Sequence, residues 1–169
     1  MNGHPPRLGI DIGRVIIDSP PGALADTGFF HGDNDQLLAT PEMPGAIEAI
    51  GRLTQDVFGP VNVWLVSKCG QRIQDRSLRW LDGHDFWSRT GMITGQARFV
   101  RARGDKAWVC NRLGITYFVD DRPDVLFPME ELVPHRYLFG PGWRVTPYGL
   151  TGVRDWPEAE TAIREDFYK

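Results

Sequence analysis

Two hydrophobic spacings alternate along the chain. Runs of strand length occur at Leu8 to Ile10, resuming beyond Asp11 and Gly13 as Val15 to Ile17, at Val61 to Val66, around Phe99 and Val100, at Ile115 to Val119 and at His135 to Phe139. Such short apolar runs, several ending at a small or acidic residue, are the pattern of buried parallel strands. Between them the apolar residues fall at helical spacing. Pro44 to Leu53 places Ala46, Ile47, Ile50 and Leu53 on one face, and Arg72 to Asp82 carries Ile73, Leu78 and Leu81 among charges. Gly104 to Gly114 opens with a cap-like acid, Asp105, and closes on glycine, while Asp155 to Tyr168 lines up Trp156, Ala159, Ala162, Ile163 and Phe167. The alternation predicts an α/β fold, a mostly parallel sheet with right-handed crossovers. Asp18 to Pro44 lacks a sustained period and reads as an irregular flap, with Phe29, Phe30 and His31 as a plug that anchors it. Phe86-Trp87 reads as part of a turn and Gly140 to Gly152 as a Gly/Pro loop.

Composition narrows the setting. At 169 residues, 41% hydrophobic and 24% charged, the chain suits one core better than two, so residues 1–169 are expected to form a single domain with 18–44 as flap or reduced cap. A net charge of -3 with both signs interspersed offers no stripe for a nucleic-acid backbone, which leaves small charged substrates open. Cys69 and Cys110 form neither a metal-type nor a redox pair, and Met1 to Arg7 carries no apolar signal region. With no run of membrane-spanning length, the expectation is a cytoplasmic protein without a membrane partner. The oligomeric state is left open, a homo-oligomer included.

Crossovers of one hand bring the strand C-termini to one sheet edge, where open α/β sheets bind ligands. That edge would gather Asp11, Ser67, Asp120 and Asp121. A single aspartate there can be a turn residue or helix cap, and Asp121 and Asp124 can cap or pair locally. It is the company of the other acids that points Asp11 toward chemistry. Crowded carboxylates with one lysine, Lys106, beside them repel and raise one another's pKa. A hard divalent cation, Mg²⁺ by its preference for oxygen donors, would resolve that conflict. Lys106 also lies in the first turn of its helix, where it opposes the macrodipole and is therefore kept for another reason. Asp11, ionised at neutral pH, can attack phosphorus, with Ser67 and backbone N–H groups binding the phosphoryl oxygens and Lys106 neutralising their charge. Lys68 reads as a solvated charge, Cys69 as a small packed residue with a thiol nucleophile as the alternative, and Trp87, Trp108 and Trp143 as packing with stacking on a base or sugar as the alternative.

These residues, in this order, resemble the haloacid dehalogenase superfamily of aspartate-nucleophile phosphohydrolases, in a minimal-cap form. The family pattern is an apolar strand ending in Asp-x-Asp, a second ending in Ser or Thr, a Lys at a helix start, and a third strand ending in paired or spaced acids. The resemblance spans most of the chain. It implies Asp11 as nucleophile and metal ligand, Ser67 as phosphate-binding hydroxyl, Lys106 as phosphate-stabilising lysine, and Asp120 and Asp121 as the acidic metal motif. It also implies Asp124 as an additional acid, the Gly13 carbonyl as a metal ligand, and a three-layer Rossmann-like parallel sheet of strand order 5-4-1-2-3 with a short flap and no large cap. Asp120 to Asp124, with Arg154-Asp155-Trp156, look in particular like the 5′(3′)-deoxyribonucleotidase branch, whose members carry a larger helical cap.

Gly13 departs from the pattern, because most phosphatases of the family place there a second Asp that acts as general acid and base. Its loss is worth about 10²–10⁴-fold in rate, so a slow enzyme or one restricted to good leaving groups is expected. Arg14 follows where some sugar-phosphate phosphatases have Asn, and a permanently protonated guanidinium reads as an ion-pair partner rather than a proton shuttle. The expected function is Mg²⁺-dependent hydrolysis of a small phosphomonoester, such as a nucleotide or sugar phosphate, through an aspartyl-phosphate on Asp11. The alternative is a phosphate-binding or protein-interaction module of the same fold without turnover. Dehalogenation at carbon needs no metal and would have little use for Asp121.

Overall fold

The computed structural model describes residues 3–18, 27–143 and 145–169. The described residues form a sheet of six parallel strands: β1 (Leu8–Ile10), β2 (Val63–Lys68), β3 (Ala97–Val100), β4 (Tyr117–Asp120), β5 (His135–Phe139) and β6 (Thr151–Val153). Their order is β3-β2-β1-β4-β5-β6. The register sets Ile10 against Leu65 on one side and Val119 on the other, so β1 is central.

Strand periodicity sorts the core into two layers. Leu8, Ile10, Val63, Leu65, Tyr117, Val119, Tyr137 and Phe139 face one way. They pack against α3 (Ala46–Leu53), α4 (Gln71–Gly83), α5 (Phe86–Thr90) and α8 (Trp156–Phe167). Val66, Phe118 and Leu138 face the other way, onto α6 (Gly104–Leu113) and α7 (Pro123–Leu126). Alternation of this kind requires strands covered on both faces, as the apolar runs implied. At Gly9 the second layer comes so close that an added Cβ would lie 2.5 Å from Cδ2 of Phe118. Only glycine lets that ring seat against the strand.

The α/β, parallel, Rossmann-like reading holds, and four local expectations are corrected. The strand order differs from 5-4-1-2-3 because β6 adds a sixth strand beside β5, beginning within the last residues of the stretch read as a loop. Three residues with a glycine in the middle and one buried side chain, Val153, leave no period to detect. Phe86-Trp87 begins a five-residue helix instead of a turn. Asp105 does not cap α6, since Arg103 holds the cap position without a side-chain bond.

The described part of the flap is likewise helical, with α1 (Thr27–His31) and α2 (Asn34–Ala39) in place of irregular chain. Residues 19–26 of that stretch lie outside the described residues. Helices this short have no propensity to stand alone. They are held from outside: Arg76 donates to the carbonyls of Phe29, Gly28 and Gly32, Arg72 to that of Phe30, and Trp80 Nε1 to that of Thr40 at 2.9 Å. A capping box between Asp33 and Gln36 starts α2. Among the described residues no helix is long and apolar enough to cross a membrane.

Candidate active site

Asp11 lies one residue past β1, and its N–H still donates to Val119 O at 3.0 Å, so the β1–β4 ladder fixes its backbone. The chain then folds back, with Ile16 N donating to Ile12 O and Arg14 N to Ile17 O. This turn buries Val15, Ile16 and Ile17 directly behind the strand end. Arg14 takes a left-handed conformation, φ 62°, within it. Ser67 stands in β2 opposite Phe99 of β3 and is buried. Asp120 ends β4 and Asp121 follows it.

Lys106 joins these elements. It rises from the first turn of α6 and is 3% exposed, with Nζ 2.9 Å from Asp11 Oδ1 and 2.8 Å from Asp120 Oδ2. Asp120, fully buried, also accepts the Arg122 N–H at 3.0 Å on Oδ1. One oxygen each from Asp11, Asp120 and Asp121 lies within 4.8 Å of the others.

The cluster holds more negative charge than Lys106 offsets. Burial, then the charge of Asp11, push the Asp120 carboxyl well above the usual range against the pull of Lys106. The same two causes raise Asp121 to about 6. Burial works against the Lys106 ammonium, but Asp11 and Asp120 outweigh it and hold its pKa above the usual value. Three hard oxygen donors with surplus negative charge fit a divalent cation, and Mg²⁺ in particular keeps few protein carboxylates.

A cavity of about 430 Å³ opens above the cluster, and its lining includes Asp11, Gly13, Ser67, Lys106 and Asp121. The structure thus brings those five predicted residues to one cavity, with Asp120 buried behind Lys106. Asp124 is not among the clustered acids. It is half exposed and accepts Arg122 Nε at 3.0 Å and an Arg103 terminal nitrogen at 3.1 Å. Cys69 also lines the cavity, with its thiol pKa pushed up by burial. Gly13 has a backbone that any residue could adopt, and an added Cβ would meet nothing within 4 Å.

Sequence reasoning missed Arg103 and Arg122 at the cavity wall and Ile73, Ser77 and Val125 in its lining. Phe29 and Phe30, read as an anchor for the flap, line the cavity too. Each arginine lies within three residues of a predicted site residue, but nearness along the chain does not distinguish it from a solvated charge.

The fold is thus a parallel Rossmann-like sheet with Asp11, Asp120, Asp121 and Lys106 gathered at its C-terminal edge. A crystal structure from Burkholderia xenovorans LB400, described as a haloacid dehalogenase-like hydrolase, superposes with a TM-score of 0.64 over 96% of this chain and 98% of that one, at 14% identity. The likeness is one of fold. No protein-family model and no curated protein matches the chain.

Proposed function

We propose that this chain is a phosphomonoester hydrolase that carries the phosphoryl group transiently on Asp11, as one domain over residues 1–169 with 18–44 as its reduced cap. The observation that carries this reading is the buried Lys106 ammonium between Asp11 and Asp120, at 2.9 and 2.8 Å, with Ser67 lining the same cavity. A carboxylate oxygen of Asp11 attacks phosphorus, the bond from phosphorus to the leaving oxygen breaks, and that oxygen takes a proton from solvent. Water then attacks the phosphorus of the aspartyl-phosphate, releasing inorganic phosphate and regenerating the Asp11 carboxylate. Ser67 donates to a phosphoryl oxygen, and Lys106 orients Asp11 while neutralising charge that builds on the transferring group. Asp11, Asp120, Asp121 and the Gly13 carbonyl are the groups that would hold Mg²⁺, which when bound supplies positive charge against the phosphoryl oxygens.

Gly13 supports a second reading, a phosphate-binding module without useful turnover, because position 13 offers no proton to the leaving group. Phosphate release from p-nitrophenyl phosphate, with and without Mg²⁺, separates the two, since this leaving group needs little acid assistance. Mg²⁺-dependent release that is lost in Asp11→Asn is the expected result. No release from a folded, Mg²⁺-binding protein would overturn the hydrolase reading.

A further inference from the structure

We propose that the substrate is the phosphate ester of a phenol, its aromatic ring seated against an apolar wall of Ile17, Phe29, Phe30 and Ile73. The inference rests on the hydrolase reading for the place of the phosphate and adds the group that leaves from it. Two separate observations carry it, one from the cavity wall and one from the acids.

The polar reacting groups and the apolar wall come from different elements. Asp11, Ser67 and Asp121 stand at the strand ends and Lys106 rises from α6, whereas Ile17 comes from the turn behind β1, Phe29 and Phe30 from α1, and Ile73 from the first turn of α4. Those four apolar residues belong to one packed cluster, Ile17 and Phe29 buried in it and Phe30 and Ile73 half-buried against it. The two phenyl rings meet edge to face, with centroids 5.3 Å apart and planes at 88°. Arg72 and Arg76 of α4 hold α1 by its carbonyls, so the two helices present one surface. A sugar hydroxyl set on that surface would lose water and gain no partner, whereas a flat apolar ring gains by leaving water. The cavity, about 430 Å³, is of small-molecule size.

The second observation concerns the leaving oxygen. The side chains that most often give such an oxygen its proton are His, Glu and Asp. Among the described lining residues there is no His or Glu, and the two Asp, Asp11 and Asp121, are the nucleophile and a metal-holding acid of the hydrolase reading. Lys106 is engaged with Asp11 and Asp120, and guanidiniums keep their protons. An oxygen that departs unprotonated has to be a weak base. A phenol ionises near pH ~10, while water, which an alkyl alcohol resembles, ionises only near ~15.7. Asp11 therefore attacks phosphorus, the bond to the phenolic oxygen breaks with its electron pair, and the phenolate takes a proton from solvent once it has left.

The test has a binding arm and a turnover arm. Calorimetric titration of the Mg²⁺-loaded protein compares phenylphosphonate with 2-hydroxyethylphosphonate, whose carbon–phosphorus bonds this chemistry does not cleave. Phenylphosphonate is expected to bind about 10- to 100-fold tighter, the worth of burying one aromatic ring. In Phe30→Ala/Ile73→Ala, checked for folding by circular dichroism, that ratio falls by about 10-fold. The control Trp108→Ala, at an exposed aromatic outside the cavity lining, keeps it. In turnover, phenyl phosphate is expected to exceed cyclohexyl phosphate, of similar size but with an alkoxide to expel, by about 10²–10⁴-fold in kcat/KM. A phosphotyrosine peptide assayed beside phenyl phosphate tells a protein side chain from a small phenol as the source of the ring, by which has the higher kcat/KM. Equal affinities for the two phosphonates, failure to bind either, an advantage that survives the Phe30/Ile73 change, or equal turnover of the phenyl and cyclohexyl esters overturns the aryl assignment. Turnover of p-nitrophenyl phosphate in any of those cases leaves the hydrolase reading standing. Tighter binding of phenylphosphonate without turnover of any ester would instead refute the hydrolase and leave the ring site.

Discussion

Lys106→Met tests whether the buried ammonium holds the strand ends together. Nζ sits 2.9 Å from one carboxylate and 2.8 Å from another, with 3% of the residue exposed. At an effective dielectric of about 20, two unit charges at that distance attract by ~6 kcal/mol, before the cost of burying them. Removing one partner of a buried ion pair costs about 3–5 kcal/mol, because the remaining charge is left uncompensated. Here two carboxylates lose their cation and a third, Asp121, lies within 4.8 Å. The upper half of that range is therefore expected in metal-free buffer, enough to bring a domain of ordinary stability close to unfolding. With a urea slope of ~2 kcal/mol/M the midpoint should fall by about 2 M. The pH dependence fixes the cause. A carboxyl whose folded pKa is raised above its unfolded value destabilises the fold at higher pH, and that deficit fades as pH falls through the folded pKa and both states protonate. The gap between variant and parent should thus be widest near pH 8 and narrow toward pH 4.5. Urea melts by circular dichroism in EDTA at both pH values measure it. A gap under about 1 kcal/mol at pH 8, or one that does not narrow, would refute the reasoning.

Other perturbations follow from single contacts. Gly13→Asp has open space for its side chain and no positive-φ constraint, so its stability should change by less than about 0.5 kcal/mol. Turnover of alkyl phosphates, compared with p-nitrophenyl phosphate, should rise by up to about 10²–10⁴-fold if the lost proton donor limits the rate, and an unchanged ratio would dismiss that limit. Hydrogen bonding from Arg89 holds Glu42 below its usual pKa of 4.5 against burial, with His84 assisting. A depressed carboxyl stabilises above its unfolded pKa and loses that contribution as pH falls through the folded value. Arg89→Gln should therefore cost ~0.5–1 kcal/mol at pH 7, with the difference closing below pH 4 in thermal melts.

What could be read from the sequence follows the physics of each element. β2, β4, β5, α3, α4 and α8 bury a repeating face, and burial of a face is what spacing records. α1, α2, α5 and β6 are three to six residues long and owe their place to partners far along the chain, such as the Arg76 donors from α4 and the β5 ladder. No local pattern can carry that information. At the site, Asp11 and Ser67 were legible because each sits where an apolar run ends, and Lys106 because it breaks the electrostatic preference of its helix. Arg103 and Arg122 were not, since a half-exposed arginine looks like any solvated charge until the fold shows two of them sharing Asp124.

Two arrangements here are unfavourable taken singly. Arg103 and Lys106 stand at the positive end of α6, and Asp11, Asp120 and Asp121 crowd the ends of β1 and β4. Each offsets the other, because α6 aims Lys106 into the acids. Non-additivity should expose this dependence. Asp120→Asn leaves an amide oxygen able to accept the Arg122 N–H while removing the most deeply buried charge of the cluster. In the Lys106→Met background it takes away a carboxylate that has lost its cation, so the double variant should be more stable than Lys106→Met alone by about 1–3 kcal/mol. In the parent background Asp120→Asn breaks the 2.8 Å pair and should be destabilising. A change of sign between backgrounds, read from paired urea melts at pH 8, means that the acids and the lysine are one electrostatic unit. Additive costs would mean that Lys106 is held by packing and that its two short contacts are incidental to the fold.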